Sequence, residues 1–266
     1  MKNKNWQNIW VIGASSGIGA AIVQKFIAET DESHESNEAG QTTPRHITIS
    51  ARSHETLQKM ALASPCISAV PCDVTAPASV DQAIDLIESE HGLPDLVIYC
   101  AGFYNPMPVD EFSRDIIAHH IAVNYQGAVN CLEPLLRKMR ARGHGEIAIT
   151  ASVVGYRGLP KAGAYGPTKA ALISLCETLR EELTGSGVVM RVINPGFVKT
   201  PMTDQNDFNM PYLQTPEQAA DFIYYGLRKN DDFEIAFPPV FVRQLKLARI
   251  LPYRWYFKLI ERMIQK

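Results

Sequence analysis

The 266-residue sequence predicts an α/β fold, a doubly wound parallel sheet in a three-layer α/β/α arrangement. Short apolar runs alternate along the chain with segments whose apolar residues recur at helical spacing. This alternation predicts parallel strands joined by right-handed helical crossovers. The chain is also long enough for one such sheet with helices on both faces and a large core.

Seven apolar runs are interpreted as strands. The fourth of them, DLVIYCAG, is apolar throughout, which is typical of a strand covered on both faces. Ligands of doubly wound sheets bind at the carboxyl ends of the strands, so functional residues are expected in the loops that follow them. In chain order the predicted strands are NIWVIGA, RHITISA, ISAVPCDV, DLVIYCAG, GEIAITAS, VVMRVINPG and FEIAFP.

The segments between the strands are interpreted as helices. In chain order they are GAAIVQKFIAE, HETLQKMAL, SVDQAIDLIESE, a long helical segment over roughly 112–142, AYGPTKAALISLCETLREEL and PEQAADFIYYGLRKN.

One insertion, residues 30–44, lengthens the link between the first helix and the second strand. Links of this kind usually take about 2–6 residues. The insertion is polar and acidic, so we expect a surface loop at the amino ends of the strands, away from the site.

Composition excludes several classes of protein. A net charge of −2 and 46% hydrophobic residues indicate a soluble globule rather than a nucleic-acid binder. The five cysteines form no C-x-x-C pair, so we expect neither a disulfide framework nor a metal site, and a reduced, cytoplasmic chain. No apolar run is long enough for a signal peptide or a transmembrane helix.

The loop after the first strand, GASSGIG, contains three glycines. Gly13 permits a tight turn, Gly17 removes a Cβ where a pyrophosphate would come close, and Gly19 lets the helix approach the sheet. The helix that follows offers unpaired N–H groups and a positive dipole end. A glycine loop alone can be a plain turn, but its place between strand and helix favours a dinucleotide site.

Tyr165 and Lys169 are four residues apart on a predicted helix, which places their side chains on one face about 5–6 Å apart. A phenol with a pKa near ~10 is a poor acid or base at neutral pH. A neighbouring ammonium would favour the phenolate and lower that pKa. Pro167 fits if the helix begins nearby. Taken alone, such a pair is most often a surface pair.

Together these motifs resemble the short-chain dehydrogenase/reductase family in its single-domain Rossmann form. The resemblance extends from about Asn8 to about Pro238. The motifs that carry it, in order, are GASSGIG after the first strand, Ala101-Gly102 after the fourth, Asn124, Ser152 after the fifth, Tyr165-x-x-x-Lys169 and Asn194–Gly196 after the sixth.

The resemblance implies roles for four catalytic residues. Tyr165 would be the acid/base, and Lys169 would lower its pKa and bind the nicotinamide ribose. Ser152 would hydrogen-bond the reacting oxygen of the substrate, and Asn124 would hold a water in a proton relay. Each has a plainer alternative: Ser152 as a helix cap, for example, and Asn124 as a solvent-facing side chain.

The resemblance also implies a cofactor site. Asp73 would bind the adenine amino group, and the backbone around 193–198, with Thr200, would meet the nicotinamide amide; Asp73 could instead be a turn residue. One departure is that the family's NNAG reads YCAG, with Tyr99 and Cys100 replacing both asparagines, which puts their polar contacts in doubt. The expected cofactor-binding residues are Gly13, Ser15, Ser16, Gly17, Ile18, Gly19, Arg52, Asp73, Val74, Ala101, Gly102, Tyr165, Lys169, Pro195, Gly196, Val198 and Thr200.

The end of the second strand predicts NADP(H) as the preferred cofactor, with NAD(H) as the second option. Ala51 stands where NAD-preferring relatives place an aspartate, and Arg52 follows it. An arginine can bind a 2′-phosphate through paired N–H groups, and a hydroxyl of Ser15 or Ser16 could assist. The alternative is that Arg52 is a solvated surface residue.

The substrate is expected to be an apolar carbonyl or alcohol, such as a lipid, steroid or aromatic compound. No arginine cluster offers to hold a phosphate or carboxylate, and the lining is aromatic and aliphatic. The alternative is ordinary packing. The expected lining is Phe103, Tyr104, Val153, Val154, Tyr156, Leu159 and Pro160, with a lid over about 197–215 carrying Met202, Phe208, Met210, Tyr212 and Leu213.

These features predict an NADP(H)-dependent oxidoreductase. A non-catalytic NADP(H)-binding sensor or scaffold is a rival, although such proteins usually lose the tyrosine or lysine. A second rival is an isomerase or dehydratase that reuses bound nicotinamide. Family members usually pair through their two long helices, here about 112–142 and 164–183, so a homodimer or homotetramer is expected.

Residues 238–266 form a basic extension beyond the oxidoreductase domain, residues 1–237. The extension holds seven basic residues and one acid, Glu261, and Pro252 divides it into two short helices. A basic stripe opposite aromatic and aliphatic residues is typical of a helix lying on an anionic membrane surface. The alternative is packing over the substrate entrance or across a dimer interface. The basic stripe is Arg254, Lys258, Arg262 and Lys266.

Overall fold

The computed structural model describes residues 4, 6–35, 46–62, 64–229 and 231–264. These residues contain a seven-stranded parallel sheet. Its strands are β1 (Asn8–Ile12), β2 (His46–Ser50), β3 (Ile67–Ala69), β4 (Leu96–Tyr99), β5 (Gly145–Thr150), β6 (Val188–Pro195) and β7 (Glu234–Phe237). The order across the sheet is β3-β2-β1-β4-β5-β6-β7, so the winding direction reverses between β1 and β4.

Helices cover both faces of the sheet, and the side chains of each strand alternate between them. In β1, Trp10 and Ile12 enter the core on one face of the sheet, whereas Ile9 and Val11 enter the core on the other face. The helices are α1 (Gly17–Glu35), α2 (His54–Ala61), α3 (Pro77–His91), α4 (Arg114–His120), α5 (Gly127–Arg142), α6 (Tyr165–Glu182), α7 (Pro216–Lys229), α8 (Pro239–Ile250) and α9 (Tyr253–Ile264).

The predicted fold class is confirmed, and every predicted strand is present. Two helices differ from the prediction. The segment over 112–142 is divided into α4, a π-helical stretch over Ile121–Gln126, and α5. Helix α1 continues to Glu35, so residues 30–35 of the predicted loop are helical. The remainder of that loop lies outside the described residues.

The tail contains the two predicted helices, which end and begin on either side of Leu251 and Pro252. Helix α8 buries Phe241 and Val242 in the same core as α3, α5 and α6, so it is packed as part of the domain. All five cysteines are free. Among the described helices, none is both long and apolar enough to cross a lipid bilayer.

Candidate active site

The site lies where the carboxyl ends of β1, β4, β5 and β6 meet the N-termini of α1 and α6. The sheet order reverses between β1 and β4, and doubly wound folds bind ligands at such a reversal. Sequence spacing alone does not bring these loops together; the parallel register does.

The glycine loop fits tightly between β1, α1 and the loop after β4. Gly13 has φ +86°, and a Cβ there would lie 2.4 Å from the Ala101 nitrogen. A Cβ on Gly19 would lie 2.2 Å from the Gly13 oxygen. Gly17 has φ +56°, and a Cβ would meet only the Thr200 side chain, with 3.0 Å to its Cγ2. Gly13 and Gly19 therefore allow the backbone segments around them to pack closely, and Gly17 leaves room beside the Thr200 side chain.

The other residues predicted to bind the cofactor in this loop lie between its glycines. Ser15 is partly buried and Ser16 is exposed, both in the turn before α1, and Ile18 lies in the first turn of α1. The first turn of α1 therefore presents its main-chain N–H groups beside Thr200.

Tyr165, Lys169 and Ser152 are brought together as predicted. Tyr165 begins α6, and the Lys169 Nζ lies 5.4 Å from the centre of its ring. The Lys169 side chain is buried and donates a hydrogen bond of 2.9 Å to the Thr150 carbonyl at the end of β5. Ser152 follows two residues later and is hydrogen-bonded to the Tyr165 phenol.

The protonation of this group differs from the sequence prediction. Burial raises the pKa of Tyr165, the nearby Tyr104 adds to the rise, and the hydrogen bond with Ser152 opposes it. Burial lowers the pKa of Lys169 from its ordinary 10.5 to about 8. The predicted lowering of the tyrosine pKa is therefore wrong for this structure, because burial is the largest influence on the phenol. The phenol is protonated at neutral pH.

Asn124 is fully buried in the π-helical stretch, so it does not face solvent. Its Oδ1 accepts from the Phe103 N–H at 2.6 Å, and its Nδ2 donates to the Phe103 carbonyl at 2.9 Å and to the Thr168 hydroxyl at 3.2 Å. One side chain thereby ties the loop after β4 to the first turn of α6. Its predicted role in a proton relay stays a prediction.

Gly102 lies over the space between these residues. A Cβ on it would come within 3.5 Å of the Asn124 Oδ1, 3.8 Å of the Met202 Cε and 3.9 Å of the Lys169 Nζ. Ala101 and Gly102 therefore lie against Lys169 of α6 and Met202 of the segment after β6, and we call the region where these three segments meet the cleft.

The YCAG departure has a structural explanation. Tyr99 is fully buried, and its hydroxyl donates to the Val123 carbonyl at 3.1 Å. A π-helical turn shifts the helical hydrogen-bond pattern, and here the phenol supplies an extra donor to it. The Cys100 Sγ lies 3.4 Å from the Thr150 Oγ1, and burial raises the pKa of its thiol to about 11. Both side chains thus join β4 to its neighbours.

The residues predicted for the adenine side, Arg52 and Asp73, lie in the loops after β2 and β3. Asp73 Oδ1 accepts from the Thr75 N–H at 2.9 Å and from its hydroxyl at 2.8 Å, and these bonds lower the pKa of Asp73. The positive charge of the exposed Arg52 guanidinium adds a smaller part to this lowering of the pKa. Asp73 is therefore a turn residue in part, and Val74 is buried against α5.

The segment after β6 closes the other side. The Gly196 N–H donates to the Phe237 carbonyl at 2.7 Å, and the Pro195 carbonyl accepts from the Ser152 hydroxyl at 3.3 Å. Val198 forms a parallel bridge with Gln214, which joins the two ends of the predicted lid.

Tyr104 links the lid to the catalytic tyrosine candidate. Its ring lies edge-on to Tyr165 with centroids 5.0 Å apart. Its hydroxyl donates to the Asn206 Oδ1 at 2.8 Å, and its carbonyl accepts from the Gln205 Nε2 at 2.8 Å. Lys161 pairs with Asp207 at 2.6 Å, so the lid is held at several points along its length.

Two predicted lining residues belong to the core instead. Val153 and Tyr156 are buried, and the Tyr156 hydroxyl is hydrogen-bonded to Glu234 at the start of β7. The segment after Ser152 is a 3-10 turn over Val153–Tyr156, which directs these side chains inward. For them, ordinary packing was the correct alternative.

His120 was missed by the sequence analysis. It is fully buried, its Nδ1 lies 2.7 Å from the Ile116 carbonyl, and its Nε2 accepts from the Asn105 N–H at 3.1 Å. Its ring centre is 6.4 Å from that of Tyr165. Burial lowers the pKa of His120, so a neutral imidazole positions the loop after β4. A histidine within a helical run gave no distinct signal of burial.

Comparisons with known proteins agree with this geometry. The sequence model of the short chain dehydrogenase family matches residues 7–210. An uncharacterized oxidoreductase of Myxococcus xanthus is 29% identical over 258 residues, covering 95% of each chain. A short-chain dehydrogenase from Streptomyces avermitilis has a similar structure, with a TM-score of 0.79, 21% identity, and coverage of 97% of this chain and 98% of that one.

A short-chain dehydrogenase from Burkholderia cenocepacia, solved in complex with NADP, has a TM-score of 0.80 and 19% identity, and the match covers 98% of this chain and 99% of that one. These two likenesses show the fold. The family match covers most of the chain and includes the loops that form the site. The protein is therefore an oxidoreductase that belongs to the short-chain dehydrogenase family.

Proposed function

We propose that the protein is an NADP(H)-dependent oxidoreductase that transfers hydride between nicotinamide and the carbonyl or secondary alcohol of an apolar substrate. The observation that carries this proposal is the meeting of Tyr165, Ser152 and Lys169 in one cleft with the glycine loop. A sensor or scaffold would not need a protonated phenol aligned with a serine hydroxyl beside that loop.

The residues present fit a dinucleotide. Gly17 and Gly102 leave spaces that a Cβ would partly fill, and the first turn of α1 offers N–H groups for phosphate. Lys169 supplies a buried donor for a ribose hydroxyl. Arg52 is exposed and follows Ala51, which offers no carboxylate to repel a 2′-phosphate. These features support NADP(H) over NAD(H), and the Burkholderia relative holds NADP.

The bound nicotinamide supplies or accepts the hydride, and the protein manages the proton. In reduction, the Tyr165 phenol donates its proton to the carbonyl oxygen, while the Ser152 hydroxyl hydrogen-bonds that oxygen. In oxidation, the Tyr165 phenolate would accept the proton of the alcohol. Burial raises the pKa of Tyr165, so the phenol carries its proton at neutral pH, which is the form that reduction requires.

The side chains around the cleft support an apolar substrate. Tyr104 covers the Tyr165 ring, and Phe103 packs edge-on against His119 with centroids 4.4 Å apart. The lid adds Met202, whose Cε lies near Gly102. These aromatic and thioether groups favour an apolar carbonyl compound and exclude water from it.

The proposed assembly is a homodimer or homotetramer formed through the helical segments over 112–142 and 164–183, as is usual in the family. The proposed location is the cytoplasm, with residues 238–266 in peripheral contact with a membrane surface.

The direct test is turnover by the purified protein. We expect the protein to oxidise NADPH in the presence of medium-chain, steroidal or aromatic carbonyl compounds. The loss of NADPH absorbance measures this oxidation. Tight NADPH binding without turnover of any compound in such a panel would instead favour a sensor or scaffold. A product isomeric with the substrate, without net NADPH consumption, would favour an isomerase.

A further inference from the structure

The end of α8 and the beginning of α9 expose an unusual concentration of large apolar side chains. We call these residues, together with the basic stripe of α9, the tail surface. A soluble monomer rarely leaves so many neighbouring apolar groups uncovered without a binding role. They are Leu247, Ile250, Tyr253, Trp255, Phe257 and Leu259, with exposed fractions from 39% to 76%.

The position of α9 is fixed through one narrow face. Tyr256 is buried, and its hydroxyl donates to the Gly158 carbonyl. The Arg157 guanidinium lies 3.9 Å from the centre of the Tyr256 ring and donates at 2.8 Å to the carbonyls of Ala248 and Leu251 at the end of α8. Covering the core therefore accounts for Tyr256. The side chains on both flanks of this face stay largely exposed, although the Arg157 guanidinium lies 4.9 Å from the Tyr253 ring centre and Phe257 stacks on Tyr253.

The positive charge of the tail indicates which kind of partner binds the tail surface. Residues 238–266 carry seven basic residues and one acid, although the whole chain has a net charge of −2. On α9, Arg254, Lys258 and Arg262 form one exposed stripe, and the Lys258 Nζ lies 5.9 Å from the Trp255 ring centre. A second copy of the chain would bring the same positive surface against this one and be repelled. An anionic lipid surface attracts the cations and accepts the aromatic side chains.

The lid is joined to the same helices. Tyr212 lies 5.7 Å from Phe241 of α8 between ring centres, and the Gln244 Nε2 donates to the Tyr212 hydroxyl at 3.1 Å. Phe197, at the base of the lid, also stacks on Phe241 at 5.7 Å. Phe208, Tyr212 and Leu213 are themselves more than 40% exposed. The lid and α8 thus form one aromatic assembly that borders both the cleft and the tail surface.

We propose that the tail surface docks the protein peripherally on an anionic lipid bilayer, and that the apolar substrate enters the cleft from the bilayer through the lid. The entry route rests on the proposed function, whereas the docking does not. Leaving lipid directly for the cleft spares an apolar substrate from crossing water.

Docking is tested by co-sedimentation of the full chain with vesicles of phosphatidylcholine and phosphatidylglycerol, against vesicles of phosphatidylcholine alone. We expect binding to the anionic vesicles that weakens with salt. Arg254→Glu/Lys258→Glu, and separately Trp255→Ser/Phe257→Ser, should each lower the partition coefficient by more than about tenfold. The matched controls, Lys59→Glu/Lys229→Glu and Leu62→Ser/Leu86→Ser, change exposed residues elsewhere and should retain most of the binding.

Equal binding by wild type and both tail variants would overturn the docking proposal. So would a fall in oligomer mass in the tail variants without any vesicle binding, because the surface would then be a subunit interface.

Substrate entry is tested by comparing a short, water-soluble aldehyde with a long-chain aldehyde held in the anionic vesicles. We expect Trp255→Ser/Phe257→Ser to match wild type with the soluble aldehyde and to be slower by about tenfold with the vesicle-held one. If the variant and wild type had equal rates with each of the two aldehydes, the entry route would be overturned. Vesicle binding without turnover of either aldehyde would contradict the proposed function and the entry route but sustain the docking.

Discussion

Lys169 is the residue whose environment departs furthest from that of an ordinary lysine. Its ammonium is buried and donates to the neutral carbonyl of Thr150. A buried cation facing a neutral acceptor is costly to the folded state. Such groups are retained where a function needs them, which agrees with the proposed binding of a cofactor by this lysine.

Lys169→Met should therefore raise the free energy of unfolding near neutral pH. The pKa of Lys169 falls from 10.5 to about 8 on folding, so the unfolded chain binds the proton more tightly. The cost is fully present below pH ~8 and disappears as pH rises toward ~10.5, and it amounts to roughly 3 kcal/mol. Urea unfolding at about pH 7 and about pH 9.5 measures the difference between variant and wild type.

The control for this substitution is Lys59→Met, because Lys59 is largely exposed. It should change stability little at either pH. A loss of stability at neutral pH in Lys169→Met, or a gain that does not shrink with pH, would contradict the burial argument.

Arg52→Asp tests the cofactor preference. Removing the guanidinium and adding a carboxylate should lower kcat/KM for NADPH by roughly tenfold to a hundredfold, because a charge-assisted pair with the 2′-phosphate is lost. The value for NADH should stay equal or rise. Lys59→Asp on neighbouring α2 makes the same change of charge, so it controls for the effect of overall charge on the binding of an anionic cofactor. Equal losses for both cofactors would refute a specific role for Arg52.

At the scale of elements, the π-helical stretch between α4 and α5 organises the site. It carries Asn124, which holds the Phe103 peptide, and its Val123 carbonyl is bound by Tyr99. Gly127 follows at once, where a Cβ would lie 2.7 Å from the Val74 Cγ2 and 2.8 Å from the Tyr99 hydroxyl. The tyrosine that replaces the family's asparagine thus fits because this position has no side chain.

Gly127→Ala should destabilise the protein by about 1–3 kcal/mol through overpacking, although alanine normally favours a helix over glycine. Val74→Ala/Gly127→Ala should lose less than the sum of the single changes, because it removes one of the clashing atoms. Gly166→Ala is the matched control, since its Cβ would meet no atom closer than 3.7 Å. Thermal or urea unfolding measures all four, and additive losses would contradict the packing argument.

The strands, the family and the placement of Tyr165 beside Lys169 on one helix could be predicted from the sequence, because these depend on local pattern and spacing. It missed the π-helical stretch, because that depends on Asn124 reaching a peptide 21 residues earlier in the chain. It also gave the wrong direction for the pKa of Tyr165 and the wrong place for Tyr156, since neither burial nor the inward turn after β5 is written in the neighbouring residues.

At the scale of the whole molecule, the tail is part of the fold rather than an appendage. Glu234 of β7 binds Lys246 of α8, Tyr156 and Asn194; burial would raise the pKa of this carboxyl, but these bonds outweigh it and the pKa is lowered. Helix α8 therefore joins the last strand to the segment after β5, whereas α9 is joined mainly through Tyr256.

Truncation should distinguish the contributions of α8 and α9 to the stability of the protein. Removing residues 253–266 should cost about 2 kcal/mol, roughly the burial of Tyr256 and its contacts. Removing residues 239–266 should cost several kcal/mol more, because Phe241 and Val242 leave the core. Melting temperatures of the two truncated chains measure this, and similar losses for both would show that α8 is not integral to the core.

The central claim is that the Tyr165 phenol transfers the proton during hydride transfer. The most direct measurement is kcat for NADPH-dependent carbonyl reduction by Tyr165→Phe, made beside NADPH affinity and melting temperature. We expect a kcat lower by about 10²–10⁴-fold, with NADPH affinity and melting temperature close to wild type. A kcat equal to that of wild type would contradict it.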